Sequence, residues 1–374
     1  ESYGPTATQV LKNHESFSEV LARNGYHVGL SGKWHMGGDE NTQEGFSDWH
    51  TVVGGGGGYK DPEFVKNGRT VKKLGYKTDL VGDGAVDFLT THQAARPEDP
   101  FFLYVAFYAP HTPYNYQPEQ YRAPYAGSEF TCFPRVPQNP RQNTGLAKNY
   151  LNEESMRAYS ALVTGLDANI GKVLKKLEEM GKLEETLIVF TADQGWNAGH
   201  HGVWGKGNGT VPRNMLEESI RVPMIWHHPG RIAARSRSDA MISNYDFFPT
   251  ILDYTGCATA PDKDRVGQSY APILRGARPR WRDRLFFEYA DVRCVRTRTA
   301  KLVMRASPWP SELYDLEADP GETRNVIGDE KYTALRASLT KELEGYFQRH
   351  GAPPLEEWRK STRLTVTEYK SVSD

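Results

Sequence analysis

The stretch Thr191-Ala192-Asp193-Gln194-Gly195, followed by Gly199-His200-His201-Gly202-Val203-Trp204-Gly205-Lys206-Gly207, sets a carboxylate beside a carboxamide, with two imidazoles and a permanent cation close behind. Oxygen donors of this kind suit a hard cation such as Ca²⁺ or Mg²⁺, whereas Zn²⁺ would call for His and Cys. The basic side chains offer a place for an anionic group. Asp, Gln and Gly also make ordinary polar turns, and this stretch alone does not separate a site from a turn.

Two other loops carry the same kind of chemistry. Ser31-Gly32-Lys33-Trp34-His35-Met36-Gly37-Gly38 holds a permanent cation and a titratable group two residues apart, which face the same side if the backbone is extended. Surface lysines are more often merely solvated. His111 stands between Pro110 and Pro113, whose fixed φ angles stiffen the loop presenting it. A histidine satisfied by its neighbours is the alternative reading.

These loops need elements that aim them. Thr186 to Phe190 is short, apolar and without polar alternation, so it reads as a strand buried on both faces of a parallel sheet. Asp193 then lies at the carboxyl end of that strand, where open α/β sheets bind ligands. Residues 16–24 read as a helix with a Ser16/Glu19 capping box and Gly25 as its terminator, and Tyr26 to Leu30 as the strand that delivers Lys33. Pro100 precedes a second buried strand over 101–108 that ends at His111. Gly54 to Gly58 cannot hold regular structure cheaply and reads as a flexible loop or a close backbone approach.

A helix starts within Gly82 to Leu89, and residues 115–150 read as a long ordered loop of the kind that walls a site. From Met156, Tyr159, Leu162, Leu166, Ile170, Val173 and Leu177 follow helical spacing to near Gly181. Val222 to Trp226 reads as another strand and Tyr245 to Tyr254 as a helix. The alternation predicts an α/β domain over 1–280, a mostly parallel central sheet between helices. Short strands near 285–289, 294–297 and 302–305, with a helix over 331–349, predict a small antiparallel-sheet-plus-helix subdomain over 281–349. Residues 350–374 read as a loosely attached tail.

At 374 residues, 38% hydrophobic and 25% charged, the chain is long and apolar enough to bury a core. A net charge of −1 gives no global attraction for nucleic acid or an anionic membrane, so neither is expected as a partner. The three cysteines, Cys132, Cys257 and Cys294, form no metal or disulfide pattern. The apolar run Phe101 to Ala109 is far short of the ~20 residues of a membrane span.

Three segments taken together resemble, in order and approximate spacing, the type I sulfatases of the alkaline phosphatase superfamily. They are Gly25-Tyr26 with Gly32-Lys33-Trp34-His35-Met36-Gly37, then Ala109-Pro110-His111-Thr112-Pro113, then Ala192-Asp193-Gln194-Gly195 with Gly205-Lys206-Gly207. Glu312-Leu313-Tyr314-Asp315-Leu316 with Asp319-Pro320 resembles that family's C-terminal segment. The likeness runs over about residues 10–330, and Gly-Lys-Trp-His is its most specific element.

The resemblance implies an alkaline phosphatase-like fold and sulfate-ester hydrolysis on a sulfated carbohydrate, in the periplasm or outside the cell. It implies that Asp193 and Gln194 are ligands of Ca²⁺, with Mg²⁺ less suited. Lys33 and Lys206 are implied to contact the sulfate, His111 to act as general acid or sulfate binder on the leaving side, and His35 to orient the nucleophile. His200 and His201, with His201 the nearer, are implied to face substrate or simply to pack. Asn208, Arg213, Trp204 and Asn214 are implied as pocket walls or ordinary loop. Gln194 stands where the family more often has Asn or His, and a carboxamide oxygen still ligates.

The family's N-terminal strand with paired Asp ligands, and its Pro-Ser-Arg segment whose Cys or Ser becomes the formylglycine nucleophile, are expected before residue 1. None of the three cysteines has that context. The competing expectations are a phosphodiester or phosphonate monoester hydrolase of the same superfamily, and a non-catalytic binder of sulfated glycans. The sequence does not indicate an oligomeric state.

Overall fold

The computed structural model describes residues 10–11, 14–259 and 265–361. Helix α1 (Phe17–Arg23) starts at Ser16, whose hydroxyl accepts from the Glu19 amide while the Glu19 carboxylate accepts from the Ser16 amide. This is the predicted capping box. Gly25, at φ +87°, then turns the chain into β1 (His27–Gly32). Val20 and Leu21 of α1 are buried against Val28 and Leu30 of β1.

β1 lies in a five-stranded sheet of order β4-β3-β2-β1-β5, where β2 is Asp48–Val52, β3 Glu63–Lys66, β4 Arg69–Lys72 and β5 Phe101–Ala106. β1 runs parallel to both β2 and β5, so the expected parallel order holds at the centre. The β2–β3 and β3–β4 pairs are antiparallel. The two-residue Asn67-Gly68 turn, with both residues at positive φ, imposes the last of these.

Helix α2 (Lys77–Ala95) begins before the predicted start at Gly82. The connection from 115 to 150 carries the four-residue helices α3 (Glu119–Arg122) and α4 (Thr144–Ala147) and is otherwise irregular. It is nonetheless packed, since Phe130 and Phe133 are buried with Met156 and Trp204. Helix α5 (Glu153–Glu179), capped by Asn152, buries Leu177 against Phe88 and Leu89 of α2.

β6 (Ile188–Thr191) pairs antiparallel with β7 (Met224–His227), which corrects the expectation of a strand buried on both faces of a parallel sheet. Among the described residues β6 has β7 as its one strand partner, and β5 has β1 as its one. The other edges of β5 and β6 border a shared cavity of about 2090 Å³, also lined by α5. Among the described residues, Tyr104 of β5 is 42% and Phe190 of β6 38% exposed along these edges.

Short helix α6 (Glu217–Ile220), then α7 (Phe247–Thr255) and α8 (Ala271–Leu274), complete this layer. The C-terminal sheet has the order β11-β10-β9-β8, from β8 (Arg284–Tyr289), β9 (Val292–Thr297), β10 (Ala300–Arg305) and β11 (Glu312–Asp315), antiparallel throughout. Helix α9 (Thr333–Arg349) packs Leu339, Leu343 and Phe347 on Leu302 and Leu313.

The expected loose tail begins docked: in α10 (Leu355–Ser361) the Trp358 indole donates to the Ala290 carbonyl at 2.8 Å, and Glu356 accepts from the Ser307 amide at 2.7 Å. Residues 362–374 lie outside the described residues. Cys132, Cys257 and Cys294 are free thiols. No described helix is long and apolar enough to cross a membrane.

Candidate functional site

The carboxyl ends of β1, β5 and β6 release the chain on one side of the cavity, and each release carries a charged or titratable side chain. At the end of β1, Gly32 adopts φ +126°, and a Cβ there would meet the Ala106 carbonyl oxygen at 2.0 Å. Only glycine admits this approach. The Lys33 amide continues the pairing by donating to Ala106 O at 2.8 Å. Trp34 then points into the core against Phe46 and Trp49. With Trp34 anchored, Lys33 and His35 are left half-buried at the cavity wall.

At the end of β5, the His111 loop is held from below. The Tyr59 hydroxyl donates to the His111 carbonyl at 2.8 Å, and the Tyr108 hydroxyl donates to the Thr112 carbonyl. His111 Nδ1 lies 2.6 Å from the same Thr112 carbonyl, which fixes the proton on Nδ1 and leaves Nε2 as the bare nitrogen.

At the end of β6, Asp193 and Gln194 stand exposed, with the Gln194 amide donating to Asp193 Oδ2 at 3.1 Å. Lys206 reaches the same cavity from a loop fixed by Trp204 and Asn214. The Trp204 amide donates to Gln142 at 2.7 Å and its indole to the Tyr114 hydroxyl at 3.1 Å. Asn214 donates to the Lys206 carbonyl at 3.0 Å. Both are buried; neither lines this cavity, and Asn214 lines a separate one.

The electrostatics tie these groups into one cluster. Desolvation pushes the Lys33 ammonium below its usual range, Asp193 opposes that shift, and Lys206 adds to it. Lys206 is lowered by desolvation and likewise opposed by Asp193. His35 is lowered by desolvation, then by Lys33, His111 and Lys206. His111 is lowered by desolvation and by Lys206 and Lys33, against its bond to Thr112. The resting site thus combines two cations, two neutral imidazoles and one carboxylate. That excess of positive charge in a chain of net charge −1 suits an anionic ligand.

The structure does not bring the remaining sequence-derived residues to this cavity. His201 Nε2 is 2.9 Å from Glu218 and His200 Nδ1 is 3.5 Å from it. Both histidines line a separate cavity of about 630 Å³. The Arg213 guanidinium stacks 4.9 Å from the Tyr289 ring centroid and lies 3.7 Å from Asp291. Asn208 is exposed, with its carbonyl accepting from Asn143.

Two neighbours of these loops were not anticipated from sequence: Glu218, which holds the histidine pair, and Lys77, the first residue of α2, whose ammonium lies 4.1 Å from the Tyr108 ring centroid. Glu218 follows another Glu and Lys77 opens a helix, and neither position carries a pattern that announces a partner.

The donor set at Asp193 and Gln194 is one carboxylate and one carboxamide, both exposed beside Lys33 and Lys206. It fits a hard cation, supplying two of the six or more oxygen ligands that Ca²⁺ takes. A second grouping, His201 with Glu218 and Glu322, has ligand atoms within 4.8 Å of one another. There the Lys301 ammonium already lies 2.5 Å from Glu322 and takes the place a cation would fill.

A family model described as Sulfatase matches residues 1–257, and one described as N-sulphoglucosamine sulphohydrolase, C-terminal, matches residues 199–349. An N-acetylglucosamine-6-O-sulfatase of Bacteroides thetaiotaomicron is 26% identical over 89% of this chain and 72% of its own length. An arylsulfatase of Clostridium perfringens is 28% identical, over 72% of this chain and 58% of its own length. The human N-acetylglucosamine-6-sulfatase is 27% identical, over 75% and 53%. The chain thus spans between about half and three quarters of these relatives.

Among solved structures, one in complex with its substrate D-glucosamine-2-N,6-O-disulfate superposes with a TM-score of 0.78 at 25% identity, over 92% of this chain and 84% of that one. A phosphonate monoester hydrolase of Agrobacterium radiobacter shares the fold, with a TM-score of 0.66 at 20% identity over 91% of this chain and 81% of that one.

Proposed function

The chain belongs to the sulfatase family, and from that membership we propose that it takes part in hydrolysing sulfate esters of a carbohydrate at the Lys33/His111/Asp193/Lys206 cavity. The observation that carries the proposal is the convergence of those groups, with His35, at the ends of three strands. Sulfate transfer places charge on the equatorial and leaving oxygens, and fixed cations at those positions lower the barrier.

In this reading Lys33 and Lys206 hold the sulfate oxygens; desolvation lowers both ammonium groups and Asp193 opposes that shift. His111 is neutral at rest; an arriving anion favours its protonated form, and the proton then held on Nε2 is available to the leaving oxygen. His35 stands beside Lys33 and orients the attacking group. Asp193 and Gln194 would hold Ca²⁺, which when bound supplies Lewis-acid polarisation of a sulfate oxygen. The attacking nucleophile is assigned to no residue of 1–374; in this family it is a formylglycine.

The sulfated glucosamine in the similar solved structure and the names of the relatives support a sulfated saccharide as substrate. The test is release of inorganic sulfate from sulfated glucosamine and from a sulfated oligosaccharide by the full-length gene product. Sulfate appearing from either supports the proposal. Tight binding of the saccharide with no sulfate released sinks it in favour of a binding protein.

A further inference from the structure

Lys77 is 1% exposed, yet no carboxylate pairs with its ammonium in the described structure. Its Nζ donates to the carbonyls of Gly56 at 2.6 Å and Gly57 at 3.2 Å, and it lies 4.1 Å from the ring centroid of Tyr108 and 5.5 Å from that of Tyr59. Burying an ammonium against two carbonyls and two rings is costly, and the cost shows as a pKa pushed down to about 8, by desolvation first and by Lys33 second. A methylene stem would fill the same space without that cost. The ammonium therefore calls for a function of its own.

Its contacts lie just beneath the site. Lys33 shares the Tyr108 ring, 5.4 Å from its centroid. The Tyr108 and Tyr59 hydroxyls hold the two carbonyls that set the His111 loop. The glycine run that Lys77 grips packs directly on His35: Gly55 is at φ +58°, and a Cβ there would meet His35 Cγ at 3.1 Å. Desolvation raises the pKa of the buried Asp39, and the backbone amides of His35, Gly54 and Gly55 oppose that shift. Gly54 and Gly55 close a 3-10 turn over Val53–Gly55, and the run is not a free loop. It is a backbone strap gripped at its carbonyls by Lys77 and bearing on the His35 ring.

We propose that Lys77 is a positioning residue for this site, its ammonium clasping the Gly54–Gly58 strap so that the His35 ring and the His111 loop stand in register with Lys33. The inference rests on the sulfatase reading for its kinetic readout, but its geometric content is independent of that reading. A displacement of about 1 Å at such groups costs roughly a hundredfold in rate.

The experiment uses the full-length gene product and the variants Lys77→Met, Gly55→Ala and the double variant, with nitrophenyl sulfate as substrate. Lys77→Met is expected to lower kcat by about ten- to a hundredfold, with KM within about threefold and an unchanged melting temperature. Gly55→Ala leaves Lys77 intact and is expected to show the same kcat loss. The double variant is expected to lose little more than either single one, because both act through one strap. A wild-type kcat in folded Lys77→Met, or losses that multiply in the double variant, would overturn the proposal.

The His35 and His111 imidazole NMR shifts are read on the same proteins without any need for turnover. Lys77→Met, or Gly55→Ala where the former does not fold, is expected to move both; unmoved shifts overturn the proposal. If the wild-type protein releases no sulfate, the sulfatase reading falls, and Lys77 is still judged by the shifts.

Discussion

His201 Nε2 stands 2.9 Å from a carboxylate oxygen of Glu218, and that pairing turns a histidine next to the lysine loop away from the cavity Lys206 faces. Burial disfavours the Glu218 charge, but the hydrogen bond from His201 and the nearby His200 hold its carboxyl below the usual range. The pair fixes the loop that carries Lys206, one step removed from the chemistry.

His201→Ala is therefore expected to act on stability. It leaves a mostly buried carboxylate short of a donor, a loss of about 1–3 kcal/mol. Chemical denaturation checks the loss, and KM for nitrophenyl sulfate is expected to stay within about twofold. A large rise in KM at unchanged stability would instead put His201 against the substrate.

The two lysines at the cavity are expected to act on rate rather than on stability. Lys33→Ala or Lys206→Ala removes a fixed cation aimed at developing charge, which lowers kcat by roughly 10²–10³-fold. Steady-state kinetics give the fall, and a melting temperature within a few degrees of wild type separates it from misfolding. A rate within a factor of a few of wild type in either variant would remove that lysine from the site.

Acid sensitivity is expected to trace to His50. Ser31 donates its one hydroxyl proton to the Val81 carbonyl at 2.7 Å, so His50 Nδ1, 3.1 Å from the same oxygen, carries a proton and donates. Its other nitrogen is buried without a partner, and the ring stacks 4.4 Å from Phe64. Desolvation, with help from Lys73 and Lys66, pushes the imidazole down to about 3. Between that value and the unfolded value near 6.5 only the unfolded chain binds the proton. The stability His50 contributes is thus complete above pH ~6.5 and is lost as the pH falls, by about 2 kcal/mol at pH 5. Denaturation of His50→Phe at pH 7 and pH 5 is expected to show a smaller acid loss than wild type. An equal loss in both would locate the sensitivity elsewhere.

A stability prediction comes from where the C-terminal sheet meets the rest. Lys301 is 0% exposed and lies 2.9 Å from Glu217 and 2.5 Å from Glu322, with Nζ donating to the Met215 carbonyl at 2.8 Å. Lys301→Met leaves the buried Glu322 carboxylate with the Glu217 amide as donor, while Glu217 keeps Arg296, and is expected to cost about 3–5 kcal/mol. Replacing Lys301 and Glu322 together by apolar residues is expected to recover part of that loss. Equal losses in the single and double variants would show that the charges are not coupled.

What the sequence made legible were features signalled within a few residues. The Ser16/Glu19 box, the glycine after α1, the span of α5 and the helix at the C-terminus all rest on local spacing, and the structure has them close to the predicted bounds. The convergence of Lys33, His35, His111, Asp193 and Lys206 was legible only through family resemblance, since it depends on three strand ends meeting. Features set by distant partners stayed hidden. The start of α2 has no side-chain cap at Tyr76 to announce it, and Glu218 and Lys77 owe their roles to residues 17 and 21 positions away. The apolar run of β6 signals a strand but does not encode the direction of its neighbour, and β7 pairs with it antiparallel.

Chelation tests the oxygen pair. If Asp193 and Gln194 help to hold a hard cation, EDTA treatment of the full-length protein is expected to abolish sulfate release, with recovery on adding Ca²⁺. Asp193→Asn is expected to weaken that recovery. Full activity after exhaustive chelation would exclude the cation from the chemistry.

The cavity at the ends of β1, β5 and β6 is proposed to process a sulfate group. Measuring kcat/KM of the full-length gene product on nitrophenyl sulfate and on bis-nitrophenyl phosphate, for wild type and Lys206→Ala side by side, tests this most directly. Wild type is expected to prefer the sulfate, and Lys206→Ala to lose roughly 10²-fold or more on it. Preference for the phosphodiester, or sulfate turnover indifferent to Lys206, would contradict it.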